Sequence, residues 1–209
     1  MRMHSDSIRY LEKCDPVMRR LIRTHGPCAL KPRTRHSPFQ SLAQAIAHQQ
    51  LNGTAANTIL RRFIQLFPGR KFPRPEDLGR VDDEAIRAAG FSRAKIAALR
   101  DLAAKSLNGT VPASRIIARM DDAEIIARLT EVRGIGQWTV EMLLIFQLGR
   151  PDVLPVDDFG VRNGFRHAYK LPEMPKPKEL LAHGERWRPH RTVAAWYLWR
   201  AADGAKEKK

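Results

Sequence analysis

Apolar residues along this chain recur at three- and four-residue spacings. Nowhere do they alternate with the period of two that marks a half-buried strand. Ser37 followed by Pro38 predicts a helix start, because serine supplies an N-cap oxygen and proline at the first position lacks only a donor that would be orphaned there. That helix runs toward Gln50, with Leu42, Ala45, Ile46 and Gln49 on one face, and Asn52-Gly53 breaks it. A second helix follows, with Ile59, Phe63, Ile64 and Phe67 inward. Pro68 to Pro75 reads as a loop. Asp82 to Ala89 predicts a short helix ended by Gly90. Ser92 caps a longer one with Ile96, Leu99, Ala103 and Leu107 on a stripe and Asn108-Gly109 as its stop. Asp121 and Glu124 stand at capping-box spacing ahead of Ile125, Ile126 and Leu129. Val140 to Leu148 is apolar nearly all round, which predicts a central, buried helix. Pro151 to Pro155 reads as a linker. Further helices are expected over Asp158 to Tyr169, Pro177 to Glu185 and Thr192 to Ala202, so the chain is all-α, with about ten helices.

Length sets the scale of this assembly: 209 residues suffice for one domain or two small lobes, with a core that needs no disulfide or metal staple. No run of about 18 apolar residues predicts a membrane span, and the polar start, Met1 to Leu11, lacks the apolar segment of a secretory leader. Two cysteines, Cys14 and Cys28, cannot build a four-thiolate zinc or iron–sulfur site. They are expected to be thiols in a reducing cytosol, giving a cytoplasmic location, beside the nucleoid if the source is bacterial.

Charge changes the picture more than composition does. Lys and Arg total 37 against 22 Asp and Glu, a formal charge of +15. Residues 1–40 carry nine basic and three acidic side chains, and residues 186–209 carry seven and two. Such a surplus points to a polyanion, since each neutralised phosphate releases condensed counterions. The alternative is a solvated basic surface, and that is the reading for Lys206 to Lys209.

The stretch from Leu129 to Arg162 carries the candidate chemistry. Leu129-Thr130-Glu131-Val132-Arg133-Gly134-Ile135-Gly136-Gln137-Trp138-Thr139-Val140 describes a helix that stops, a tight turn with two glycines, and a helix that starts. Glycines there let the backbone turn sharply and an anion approach, and the free N–H groups of the next helix point at it. An ordinary helix hairpin with Gly134 as C-cap fits the same residues. Asp158 follows in Leu154-Pro155-Val156-Asp157-Asp158-Phe159-Gly160-Val161-Arg162. Two adjacent aspartates at a helix start either both cap it, or divide, one capping and one projecting.

With the hairpin and aspartate, Ala45-Ile46-Ala47-His48-Gln49-Gln50-Leu51-Asn52, Gly90-Phe91-Ser92-Arg93-Ala94-Lys95, and Arg186-Trp187-Arg188-Pro189-His190-Arg191 to Trp196-Tyr197, four segments stand in order. Together they resemble the helix-hairpin-helix DNA glycosylases, within them the 3-methyladenine branch of the AlkA and Mag type. The resemblance runs from about Pro38 to Trp199. It implies an all-α, two-lobed fold with a cleft between the lobes and the hairpin and Asp158 at its mouth. The expected divisions are 1–37 as N-terminal helices packing with the C-terminal lobe, 38–152 as a central bundle, 153–202 as the C-terminal helices and 203–209 as a polar tail. It also implies a monomer acting on double-stranded DNA, in which a damaged nucleotide is flipped and its N-glycosidic bond hydrolysed.

Residue by residue, the resemblance makes Asp158 the catalytic carboxylate and Asp157 a helix cap or supporting group. Gly134, Gly136 and Thr139 become the backbone-gripping hairpin. Trp138, Trp196, Tyr197 and Met142 line the base pocket, where aromatic faces suit a cationic alkylated base. Gln50 and Leu51 match the plug and wedge that fill the vacated stack, and Asn52 the minor-groove probe. Arg93, Lys95, Arg133 and Arg191 are candidate phosphate contacts. His48 receives no role. No cofactor is required, and backbone carbonyls of Thr130, Val132 and Ile135 form a candidate site for Na⁺ or K⁺. Bifunctional members carry a lysine where this chain has Trp138, and an indole cannot form a Schiff base, so hydrolysis without strand cleavage is expected. A glycosylase for deaminated or oxidised bases, and a non-catalytic helix-hairpin-helix DNA-binding module, are the alternatives.

Overall fold

The computed structural model describes residues 4–33 and 35–206; of the polar tail expected over 203–209, positions 207–209 lie outside the described residues. Among the described residues all regular structure is helical. The α-helices in chain order are α1 Ser5–Cys14, α2 Pro16–His25, α3 Pro38–His48, α4 Gly53–Gln65, α5 Asp83–Ala88, α6 Arg93–Leu107, α7 Ser114–Ile117, α8 Asp122–Leu129, α9 Gln137–Leu143, α10 Phe159–Ala168, α11 Pro177–Gly184 and α12 Arg191–Lys206. Short 3₁₀ turns occupy Pro75–Arg80 and Glu185–Trp187. None of these helices is long and apolar enough to cross a membrane.

Helix starts follow side-chain chemistry closely. Ser37 accepts from Gln40 N at 3.1 Å, Ser92 from Lys95 N at 3.3 Å, Asp82 from Ala85 N at 2.7 Å and Asp121 from Glu124 N at 2.7 Å. Each removes one of the orphan donors of a first turn. The expected capping box at Asp121 is only half made, because the Glu124 carboxylate turns to Arg128, one helical turn on, at 2.8 Å.

Two compact units result. The first runs from Arg33 to Leu143. Its core includes Leu42, Ile46, Phe63, Ile86, Leu99, Leu102, Ile117, Ile125 and Val140. Phe63 sits at its aromatic centre, with ring centroids of Phe67 and Phe91 both 5.2 Å away. Leu107 does not complete the α6 stripe; it is exposed at the last helical position.

The second unit joins the residues up to Pro32 with those from Leu144 on. Its core combines Leu11, Met18, Leu21 and Ile22 of the N-terminal helices with Val161, Phe165, Leu180, Trp187, Val193, Tyr197 and Leu198. Helices α10 and α12 meet backbone to backbone. A methyl group on Gly164 would fall 1.8 Å from the Leu198 carbonyl oxygen. Asp15 pins this core from within: its buried carboxylate caps α2 through Val17 N at 2.8 Å and accepts from the Trp187 indole at 3.0 Å, from the Tyr169 hydroxyl and from His183. These donors hold its pKa far below the ordinary carboxylate range, against the opposing effect of burial. Cys14 and Cys28 are free thiols, and burial pushes Cys28 up to about 11.

Three sequence expectations are corrected here. The boundary expected at Asp152 falls at Leu143, because residues 149–153 are tied to the second unit. Thr192 donates to Arg150 O at 2.7 Å and accepts from Val153 N at 3.0 Å, while Asp152 holds Arg191. Pro151 to Pro155 is accordingly no free linker, and Val153, Leu154 and Pro155 are buried. The helix expected to be uniform over Val140 to Leu148 changes winding: α9 gives way to a π-helical turn at Leu144–Leu148, which leaves Phe146 exposed. The tail expected from residue 203 is helical to Lys206, as part of α12.

Candidate active site

In the Arg33–Leu143 unit, the glycine turn after α8 is built as the sequence requires. Gly134 takes φ +76°, a left-handed conformation that strains any side chain. Gly136 has open space where a Cβ would stand, so its backbone is bare rather than bent. Three side chains hold the loop. Asp101 of α6 accepts from Arg133 N at 2.7 Å, and Lys105 joins the Asp101 carboxylate at 3.1 Å while also donating to the Glu131 carbonyl. Gln49 donates its amide to Gly134 O at 2.8 Å. Gly136, Gln137 and Trp138 are exposed at the start of α9, whereas Thr139 is buried, its N–H directed to Gly136 O at 3.0 Å. Thr139 is therefore buried in the turn, which its N–H helps to close, rather than exposed beside Gly136. Trp138 is 47 % exposed, a large apolar area for a tryptophan next to a turn, and Met142 one helical turn on is half-buried.

The same unit carries the break between α3 and α4. Gln50 stands at φ 58°, which costs a non-glycine residue roughly 1–2 kcal/mol. Leu51 is exposed beside it. Asn52 accepts from Ala55 N at 2.8 Å as the N-cap of α4, so its oxygen is used to start the helix. Of the candidate phosphate contacts here, Arg93 and Arg133 are exposed. Lys95 is not: its ammonium donates to Ala47 O and Gln49 O, both at 2.8 Å, and burial lowers its basicity.

In the other unit, Asp158 is 9 % exposed and is itself the N-cap of α10. Its Oδ1 accepts from Val161 N at 2.8 Å and from the Trp199 indole N–H at 2.9 Å. The role expected for Asp157 as cap therefore passes to Asp158, and Asp157 is exposed. Trp199 is stacked on Phe146, with ring centroids 5.6 Å apart and planes 27° from parallel. The carboxylate thus meets an indole that is itself held by stacking on a phenyl ring, and the Val161 and Trp199 donors fix its oxygen in direction. Gly160 makes room for it: a Cβ there would fall 2.9 Å from the Trp199 ring and 3.1 Å from Asp158 Oδ1.

One pocket assignment and one phosphate contact fail on burial. Tyr197 is fully buried and donates to Gly26 O at 2.9 Å, so its ring fills the core between α12 and the end of α2. Arg191 is buried with Asp152 in a bidentate pair, at 2.8 Å and 3.0 Å, and so is no phosphate contact. Trp196 is half-buried, edge-on to Tyr197 at 4.9 Å, with the Arg200 guanidinium 5.6 Å from its ring centroid. Sequence reasoning missed Trp199 and Phe146. A signal existed: Trp199 stands three residues after Trp196, on the adjacent face of α12, and Gly160 and Gly164 lie one turn apart on α10, marking a helix approached closely.

No three His, Cys, Asp or Glu side chains are grouped to hold a metal ion among the described residues. The carbonyl set proposed for a monovalent cation is partly committed, since Val132 O accepts from Ile135 N at 3.0 Å within the turn; a carbonyl oxygen has a second lone pair, so the residues remain compatible with one.

Residues 43–189 match the family model of the HhH-GPD superfamily base excision DNA repair proteins. DNA-3-methyladenine glycosylase 1 of Schizosaccharomyces pombe is 45 % identical over 165 residues, covering 79 % of this chain and 72 % of that protein. The structure of the same yeast enzyme in complex with abasic DNA superimposes with a TM-score of 0.82, at 40 % identity over 94 % of this chain and 96 % of that one. A DNA-3-methyladenine glycosidase from Bacillus halodurans gives 0.89, at 38 % identity over 98 % and 92 %. The chain belongs to the HhH-GPD superfamily of base excision DNA repair proteins. Its fold is that of the helix-hairpin-helix glycosylases.

Proposed function

We propose that this protein is a DNA-3-methyladenine glycosylase, which releases alkylated bases of the 3-methyladenine and 7-methylguanine type from duplex DNA by hydrolysis of the N-glycosidic bond. The observation that carries the reading is Asp158: a carboxylate held in direction by the Val161 amide and the Trp199 indole, in a chain whose hairpin has the form of a backbone grip. Alkylation at adenine N3 or guanine N7 makes the base cationic and a good leaving group. The remaining task is to stabilise positive charge on the sugar and guide water to it, which one oriented carboxylate performs. Relatives in yeast and bacteria with the same named activity support this substrate class.

The exposed N–H groups at Gly136 and the start of α9 meet the phosphate chain, and Arg93 and Arg133 add charge. Gln50 and Leu51 enter the stack where the nucleotide leaves it. Trp196, Trp199 and Phe146, in the unit that carries Asp158, supply surface for the base. No cofactor takes part; a monovalent cation on Thr130, Val132 and Ile135 would stiffen the hairpin without entering the reaction. The protein works as a monomer, and its two free thiols suit the cytoplasm.

The test is Asp158→Asn. The amide carbonyl still accepts from Val161 and Trp199, so the cap survives while the charge is lost. Release of methylated bases from alkylated duplex DNA, followed by chromatography, is expected to fall by about 10²–10³-fold, with affinity for duplex DNA retained. An unchanged release rate refutes the role of Asp158. Release of neutral deaminated or oxidised bases, with no methylated ones, refutes the substrate class.

A further inference from the structure

The wedge turn and the backbone hairpin of the Arg33–Leu143 unit are separate in sequence yet tied to each other. Gln49 precedes the left-handed Gln50, and its side chain donates to the carbonyl of Gly134, the left-handed residue of the hairpin, at 2.8 Å. Lys95, in the first turn of α6, donates to the carbonyls of Ala47 and Gln49 at 2.8 Å each, and so closes the C-terminal end of α3. A cation there also meets the negative end of the helix dipole. Six residues on, about 9 Å along the same helix, Asp101 accepts from Arg133 N, and Lys105 one turn further donates to Glu131 O. Helix α6 is thus a strut bound at one end to the wedge turn and at the other to the hairpin, and Gln49 links the two directly.

Nothing in the turnover chemistry calls for Gln49 or Lys95. Gln49 is assigned to no sugar, base or phosphate, and Lys95, expected as a phosphate contact, directs its ammonium to Ala47 O and Gln49 O instead. What they hold is a turn that would otherwise relax: a non-glycine residue at φ 58° persists only where its surroundings over-determine it, and an exposed leucine follows it.

From these tethers we infer that Gln49 and Lys95 are positioning residues, which lock the Gln50–Leu51 wedge to the DNA-gripping hairpin so that seizing the backbone and everting the nucleotide become one event. The inference rests on the proposed reading of Leu51 as a wedge. Loss of either tether leaves the grip and the carboxylate in place and lets the wedge yield when pushed against the stack. The step affected is eversion, and the penalty scales with how firmly the target base is stacked and paired.

Gln49→Glu tests this with the same side-chain size and no donor toward Gly134 O; Lys95→Met keeps the stem and removes the ammonium. Two readouts are compared. One is single-turnover release of a methylated base, paired normally or set opposite a mismatch that already loosens it. The other needs no chemistry: the fluorescence rise of 2-aminopurine stacked beside a tetrahydrofuran abasic analogue in duplex DNA. Each variant is expected to release the paired base about tenfold more slowly, to lose less than threefold on the mismatched one, and to show a smaller fluorescence rise. Binding to undamaged duplex and the melting temperature stay near the original values. Lys95→Arg restores most of the loss. In combination with Leu51→Ala no further loss appears, since the tethers act through the wedge. Equal losses on paired and mismatched lesions, additive losses with Leu51→Ala, or unchanged release and fluorescence overturn the inference. If the unaltered protein releases no methylated base while the variants still blunt the fluorescence rise, the substrate reading fails and the tethering stands.

Discussion

The two glycines on the α12-facing side of α10 make a sharp pair of predictions. A methyl at Gly160 meets the Trp199 ring at 2.9 Å and 3.2 Å and Asp158 Oδ1 at 3.1 Å, all of them side-chain atoms. A methyl at Gly164 meets the Leu198 carbonyl oxygen at 1.8 Å and its carbon at 2.6 Å, which are backbone. Gly160→Ala therefore folds by turning Trp199 aside. Overpacking costs about 1–3 kcal/mol, offset by the roughly 1 kcal/mol that alanine contributes over glycine inside a helix, so the melting temperature shifts by only a few degrees. The indole no longer reaches Asp158, and a hydrogen bond to a charged group, worth about 1.5–3 kcal/mol, is lost where it orients the carboxylate. That loss corresponds to about 10- to 100-fold in rate. Gly164→Ala has no such escape, because α10 and α12 must separate; a loss above about 3 kcal/mol is expected, with little soluble protein. Single-turnover base release and thermal melting, run on both variants, check this. Gly160→Ala at the original rate, or Gly164→Ala as stable as the original, refutes the claim that helix approach positions the carboxylate.

Other outcomes follow from the same geometry. Asp15→Ala strands the Trp187 and Tyr169 donors in the core and is expected to cost about 3–5 kcal/mol in urea unfolding. Because the folded Asp15 is far more acidic than the unfolded one, its contribution is full above the ordinary carboxylate pKa of about 4 and declines as pH falls below it. The stability gap between the protein and Asp15→Asn should therefore narrow from pH 5 to pH 3, and a constant gap contradicts the assignment. Leu51→Ala removes an exposed side chain, so unfolding should move by less than about 0.5 kcal/mol while release of a paired methylated base slows; a stability loss with unchanged release would place Leu51 in the fold instead. With Trp138 in place of an amine, borohydride should trap no covalent complex with DNA and no strand break should accompany base release; a trapped adduct refutes hydrolysis by water alone.

Much of the fold was legible because helix starts are written locally. Ser37, Asp82, Ser92 and Asp121 each cap where expected, since an N-cap needs only its own side chain and the next three residues. Errors arose where the deciding contact lies far along the chain. The segment 149–153 reads as a linker until Thr192 and Arg191 hold it, about 40 residues later. Leu107 fits a stripe by spacing, yet it stands exposed at the last position of α6. The winding change at Leu144 leaves no mark in an unbroken apolar run.

The sequence by itself determined the all-helical class, the strong basic surplus, the left-handed turn at Gly134, and a carboxylate at the head of a helix. These depend on residue type and short spacing alone. Tertiary structure decided that the capping carboxylate also meets α12, because Asp158 Oδ1 accepts from the Trp199 indole as well as from Val161 N, while Asp157 stands exposed. It also decided that Trp199, rather than Tyr197, meets the acid. A helix offers a new side chain every 100° or so, and only the packing of α12 on the glycine face of α10 selects which of its aromatic rings turns inward to the core and which turns to Asp158.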